Sequence, residues 1–241
     1  MTDPGAIQPT VPPPPSPPTG AGGPQGNPWE RRDTLGFGTA FLETVKLFVT
    51  SPAAAFAQTK RSGDYASPLI FAILVGWIGV AVSQIWGMLF HASIFSLFPG
   101  EMGEQMGVMA ATSVGAFVFS LIVAPIVVAI VLFIESGIVH LCLMLVGGLS
   151  NSTSGFEGTF RVVSYAMVAQ LANIIPLVGG LIAFVWLIIL GVIGLTELHG
   201  TTQGKAIAAI LIPFALCCIC LIAFGAMMAA SVAAMLGAQG G

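Results

Sequence analysis

VGAFVFSLIVAPIVVAIVLFIESGIVHLCLMLVGGL, residues 114–149, carries one carboxylate, Glu135, and one imidazole, His140, in an otherwise apolar run broken also by Pro125. At about 1.5 Å per residue a helix of this length measures about 54 Å, against about 30 Å for the hydrocarbon core of a bilayer. A turn at Glu135-Ser136-Gly137 would leave only about twelve residues for a second crossing, too few to span. The stretch therefore reads as one transmembrane helix with an apolar overhang. Counting about twenty residues from Val114 places Glu135 at the interface and His140 beyond it. The two are five positions apart, about 140° around a helix, so they do not form a proton relay with each other on this helix.

The rest of the chain agrees with a membrane setting. Of 241 residues, 56% are hydrophobic and only 7% charged, whereas a soluble domain carries about 25% charged residues. So few charges cannot cover a water-facing surface. The first twenty-eight residues lack the basic and apolar regions of a secretory signal, so the first span is expected to act as the targeting signal. Apolar runs at 68–90, 161–175, 177–195 and 206–236 add four crossings to the one at 114–149. The fold expected is an all-α, polytopic bundle of five transmembrane helices, forming a membrane domain over 67–241. NIIPLVGG, 173–180, reads as the hairpin between the third and fourth. His91–Ala111 reads as a loop.

Ahead of the bundle, residues 1–28 form a Pro/Gly-rich segment that favours polyproline II and builds no core, hence a disordered tail. Residues 29–66 differ. Phe37, Phe41, Val45 and Phe48 recur at helical spacing, with Thr39, Glu43 and Lys46 on the other side. Ser51-Pro52 is a helix start, and Lys60 and Arg61 fall at its end. These are expected to be short amphipathic helices on the membrane surface, with Trp29 as an interfacial anchor. They are also expected to cover the apolar overhang after Glu135. Trp29, Phe37, Phe41 and Phe48 are the candidate contacts to membrane or partner, and Lys60 and Arg61 the candidate contacts to anionic head groups.

The seven Lys and Arg residues fix an orientation. Arg31, Arg32, Lys46, Lys60 and Arg61 precede the first span, Arg161 the third and Lys205 the fifth. With five spans and a cytoplasmic N-terminus, all seven lie on the cytoplasmic side and the C-terminus lies outside.

Chemical motifs are sparse. Cys142, Cys217, Cys218 and Cys220 lie in apolar runs without a histidine cluster, and read as core packing rather than a zinc site. Gln170 and Asn173 are polar residues beside a break at Pro176, able to line a cavity or to join helices by hydrogen bonds. No P-loop, H-E-x-x-H or G-x-S-x-G occurs, so no catalytic residue, metal or cofactor is expected, and nothing points to nucleic acid. Glu135, His140, Gln170 and Asn173 are the polar set a transporter or channel would use; a weaker enzymatic alternative pairs His140 with Ser152 or Ser154. Gly225-Ala226 and Ala229-Ala230 permit close helix packing within or between chains, which admits a homo-oligomer.

PWERRDTLGFGTAFLETVKLFVTSPAAAFAQTKRSGDYASPLIFAILVG, 28–76, and GTFRVVSYAMVAQLANIIPLVGGLIAFVWLIILGVIGLTELHGTTQGKAIAAILIPF, 158–214, together resemble the bacterial branch of the Yip family of membrane proteins. The shared order is a helix with a Ser-Pro step, a first span, a Gly-Thr-Phe-Arg loop with Tyr165, an Ile-Pro hairpin, a Trp-containing span, a His-Gly turn and Lys-Ala before the last span. The resemblance covers about 28–236. It implies five spans, a cytoplasmic N-terminal region, an exterior C-terminus, a bacterial inner-membrane location and a non-enzymatic role in organising membrane or partner proteins. Eukaryotic relatives bind Rab GTPases and carry Asp-Leu-Tyr and Gly-Pro motifs before the first span. Neither motif occurs here, so GTPase binding is not expected.

Overall fold

The computed structural model describes residues 26–95 and 101–239. Among these, every regular element is a helix. The chain enters through a 3-10 helix, Pro28–Arg31, whose start is fixed by a capping box: the Asn27 side chain accepts from the Glu30 amide and Glu30 accepts from the Asn27 amide, so two orphan amide donors are satisfied reciprocally. Asn27 and Pro28, assigned above to the tail, are thus buried parts of the fold; the expectation for residues 1–25 lies outside the described residues. Helices α1 (Arg32–Leu35), α2 (Phe37–Thr50) and α3 (Pro52–Gln58) follow. Gly36, at φ +80°, makes the break between the first two, a conformation that costs glycine little. Pro52 opens α3 as expected, but Ser51 gives it no side-chain cap.

Four helices are long and apolar enough to cross a membrane: Ala66–Phe90 of α4 (Ala66–Phe95), Val114–Leu145 of α5 (Glu101–Leu145), Gly179–His199 as α7, and Gln203–Met228 of α8 (Gln203–Gln239). Between α5 and α7 lie α6 (Gly155–Ala166) and a second 3-10 helix, Met167–Ile174. The loop expected over 91–111 is therefore shorter, because α4 runs on to Phe95 and α5 starts at Glu101. Helix α5 is one continuous helix through Pro125, ending before Gly147 at φ +67°.

The stretch expected as an α-helical crossing over 161–175 takes another form. Its α-helix stops at Ala166 and the chain continues as the 3-10 helix. This composite runs antiparallel to α7: Gly158 sits against His199, and Gly179 against the Ala172 carbonyl. The 3-10 winding rises about 2.0 Å per residue against about 1.5 Å for an α-helix, so it covers the distance with fewer residues. Bare glycines make room for it on α4. A Cβ at Gly76 would lie 3.1 Å from the Met167 methyl, and one at Gly79 would lie 3.0 Å from Gln170 Cβ.

The buried core gathers where the N-terminal helices meet the bundle. Phe48 stacks on Tyr165 (5.2 Å) and meets Phe56 edge-on, while Trp29 and Phe41 close on Phe71. The principal neighbours of α2 are the first 3-10 helix, α3 and α1, with the second 3-10 helix after them, and α5 packs on α6 and α8. The cover expected from α2 over the α5 overhang is therefore supplied by other elements. Leu141, Met144 and Leu145 remain exposed there.

Candidate functional site

Three polar arrangements lie within this apolar frame. The first centres on Arg161, whose side chain is fully buried. Helix α6 carries Glu157 and Arg161 one turn apart, and Glu157 Oε1 accepts from Arg161 Nε at 3.2 Å and from its second terminal nitrogen at 2.7 Å. That same nitrogen donates to the Asp64 carbonyl at 2.7 Å, and the other terminal nitrogen pairs with Glu30. Glu30 also accepts from the Lys60 amide at 3.0 Å. Glu157 accepts from the Asp64 amide at 3.1 Å. One guanidinium thus ties the entry helix, the α3–α4 connection and α6 together. Burial pushes the Glu30 carboxyl above the usual carboxylate range, with the Lys60 amide and the Arg161 charge pulling the other way. Trp29 belongs to the same assembly: its indole N–H donates to the Ser67 carbonyl at 2.7 Å and Arg32 lies over its ring.

The second arrangement is a chain of hydrogen bonds joining α5, α6 and α7. The Thr159 hydroxyl lies 2.8 Å from His140 Nδ1 and 3.0 Å from His199 Nε2, and Ser152 Oγ lies 2.7 Å from His199 Nδ1. Ser154 Oγ donates to the Leu198 carbonyl at 2.8 Å, and Arg61 donates to that carbonyl at 2.9 Å, satisfying the end of α7. His140 therefore bonds Thr159 rather than Ser152 or Ser154. The Ser152–His199 pair has a hydroxyl, not a carboxylate, on its second ring nitrogen, so it lacks the group that would stabilise an imidazolium in nucleophilic catalysis.

The third arrangement is Glu135. It lines a cavity of about 400 Å³ between α5, α6, the start of the second 3-10 helix, α7 and α8 whose other lining residues are apolar or glycine, and it borders a second of about 260 Å³ that reaches Gln170. Among the described residues Glu135 has no hydrogen-bond or ion-pair partner. Gln170 and Asn173 bond each other at 2.8 Å across one turn of the second 3-10 helix, beside Gly79. The structure so brings Glu135 and Gln170 to one cavity and keeps His140 in the separate hydrogen-bonded chain.

Of the expected contact residues, Trp29 and Phe48 are fully buried in the protein. Neither reaches lipid, because each fills the joint between the N-terminal helices and the bundle; this corrects the surface roles given them. Phe37 is 59% exposed and Phe41 half-buried. Lys60 is half-buried, while Arg61 is exposed yet engaged by Leu198. In the sequence alone Arg161 stands out only as a topological charge. The local signal for its role was the Glu157–Arg161 spacing on a helix, which pairs opposite charges one turn apart.

The Yip1 domain family model matches residues 45–225, three quarters of the chain. The chain belongs to the Yip family. The match starts inside α2, so Arg161, Glu157 and Asp64 of this Yip protein lie within it, and Glu30 and Trp29 lie before it. No curated protein and no solved structure matches the chain. The domain and the four apolar helices together make it an integral membrane protein.

Proposed function

We propose that this Yip protein is a non-enzymatic organiser of membrane or of partner membrane proteins, acting through its N-terminal helices at the cytoplasmic face of a bacterial inner membrane. The observation that carries the reading is the seating of α2. Phe41 meets Phe71, one turn into α4 from Ser67, and Phe48 stacks on Tyr165, one turn beyond Arg161. Helix α2 thus lies just on the apolar side of the Arg161 layer. Its far side leaves Leu42 (68% exposed) and Val49 (49% exposed) uncovered beside Lys46. A helix with one face on protein and an apolar edge flanked by Lys suits the head-group boundary. Lys60 and Arg61 remain the candidate head-group contacts of this segment, and Phe37 its candidate lipid contact.

The topology proposed is five crossings, with the α6 and 3-10 composite as the short third, the N-terminal region cytoplasmic and the C-terminus outside. The gathering of basic groups at one end supports it: Arg32 bonds Ser67, Arg61 bonds the end of α7, and Lys205 bonds the Gly147 carbonyl. GTPase binding is not part of the proposal, since the eukaryotic motifs are missing from the sequence. A transport pathway is not favoured, because Glu135 and Gln170 border cavities walled almost wholly by apolar side chains.

The test uses the full chain in anionic proteoliposomes with spin labels at positions 42 and 49. Accessibility to oxygen above that to a water-soluble nickel chelate is expected at both. Labels that report water would overturn the interfacial seating. With the seating established, Leu42→Glu with Val49→Glu should reduce any vesicle deformation the wild type produces.

A further inference from the structure

We propose that the cavity at Glu135 is a lateral lipid site that takes one acyl chain of a bilayer lipid whose head group carries a primary amine. This goes beyond the organising role and does not depend on the seating of α2. The cavity has one polar group, Glu135, in an apolar wall. Along α7 its lining runs from Leu195 to Phe184, about 16 Å at helical rise. The Leu195 end adjoins Val162, the neighbour of Arg161, and Glu135 stands midway along the α5 wall, one turn from Val139 and one turn from Val131. The Phe184 end is closed by Phe214, whose ring lies 5.2 Å from that of Phe184.

Two further features point to an amphiphile entering sideways from the bilayer. Ile134, Ile138 and Leu211 line the cavity and are themselves between 41% and 57% exposed, on helices that face lipid. The mouth therefore opens along the bilayer plane. The volume of about 400 Å³ falls within the range of small-ligand sites, about 300–1,000 Å³. An unpartnered carboxyl in apolar surroundings is costly, and no lining residue brings a basic group to it. A cationic occupant would hold the group as a paired carboxylate. A primary ammonium offers three N–H donors and a charge-assisted bond to a carboxylate. A quaternary ammonium offers charge without a donor, and a glycerol head offers hydroxyl donors without the cation.

The experiment places the full-length protein in nanodiscs carrying a trace of acyl-chain diazirine lipid, as phosphatidylethanolamine, phosphatidylcholine or phosphatidylglycerol in turn. Labelled peptides are then mapped after illumination. Phosphatidylethanolamine is expected to label 131–139 and 210–214 above the other two. Glu135→Gln, which keeps shape and removes the charge, should cut that excess by about tenfold, the loss of one charged hydrogen bond. Ile138→Trp, which narrows the mouth, should lower labelling by all three lipids. Monodisperse elution and an unchanged helical signal identify variants that fold. The proposal is overturned if the three lipids label these segments equally, if the choline lipid labels as strongly as the amine, or if folded Glu135→Gln labels as the wild type does. If Glu135→Gln does not fold, the comparison among the three lipids on the wild type decides alone.

Discussion

Arg161 is the residue on which the N-terminal half of the fold turns. Three partners from separate parts of the chain use its guanidinium, and the Glu30 side chain among them is closed off from water. Breaking a buried ion pair by removing one partner costs about 3–5 kcal/mol, because an uncompensated charge stays behind. Arg161→Met should therefore lower the thermal unfolding midpoint of the purified protein sharply, read by circular dichroism in detergent. Arg161→Lys should recover only part of it, since one ammonium cannot present the planar fork that holds Glu30, Glu157 and the Asp64 carbonyl. A lysine variant as stable as wild type would show that charge alone matters there. Little of this was legible in the sequence. Glu157 and Arg161 announce themselves by spacing, but Glu30 lies 131 residues away, and no local pattern encodes so distant a partner. Trp29 shows the same limit: an aromatic ahead of a first span reads as an interfacial anchor, and only tertiary contacts make it a buried one.

Among the elements, close approach explains more than apolar periodicity does. Gly194 of α7 faces α3 and α6 at once: a Cβ there would lie 2.7 Å from Val162 and 2.8 Å from the Phe56 ring. Gly194→Val should destabilise by about 1–3 kcal/mol, the usual cost of overpacking. It should also loosen α3, seen as faster amide exchange over 52–58 in the folded protein. Unchanged exchange there would show that α3 does not lean on this contact. The long helices α4, α5, α7 and α8 were readable because twenty or so apolar residues leave no alternative in lipid. The composite of α6 and the 3-10 helix was not. Its apolar residues fit a span, but its close seat on α4 needs the room left by Gly76 and Gly79, and a single-segment reading carries no information about the neighbour.

For the whole molecule the decisive quantity is the number of crossings. Reporters fused after Gly155 and after Gly241 should give cytoplasmic activity at the first and exterior activity at the second. Both reporting cytoplasm would make the composite re-entrant rather than spanning, and the even count would bring the chain's end back to the side it started from. The charge pattern and the family resemblance both favour the odd count, and the structure adds that the composite runs alongside α7 from one end to the other. The membrane character, the family and the basic end of the bundle could all be read from the chain. The cavity at Glu135 could not, since it exists only where five elements converge.

The bond between Glu30 and Arg161 also sets a timetable. A ribosome emits the entry helix and α2 first, and their counter-charge leaves the exit tunnel only after α4 and α5 have been inserted. During that interval Phe48 has no Tyr165 to stack on, while Trp29 already has its partner Phe71 on α4. The N-terminal helices therefore act as a late clasp on a bundle already in the bilayer, and any factor that holds them meanwhile must release them when the third segment arrives.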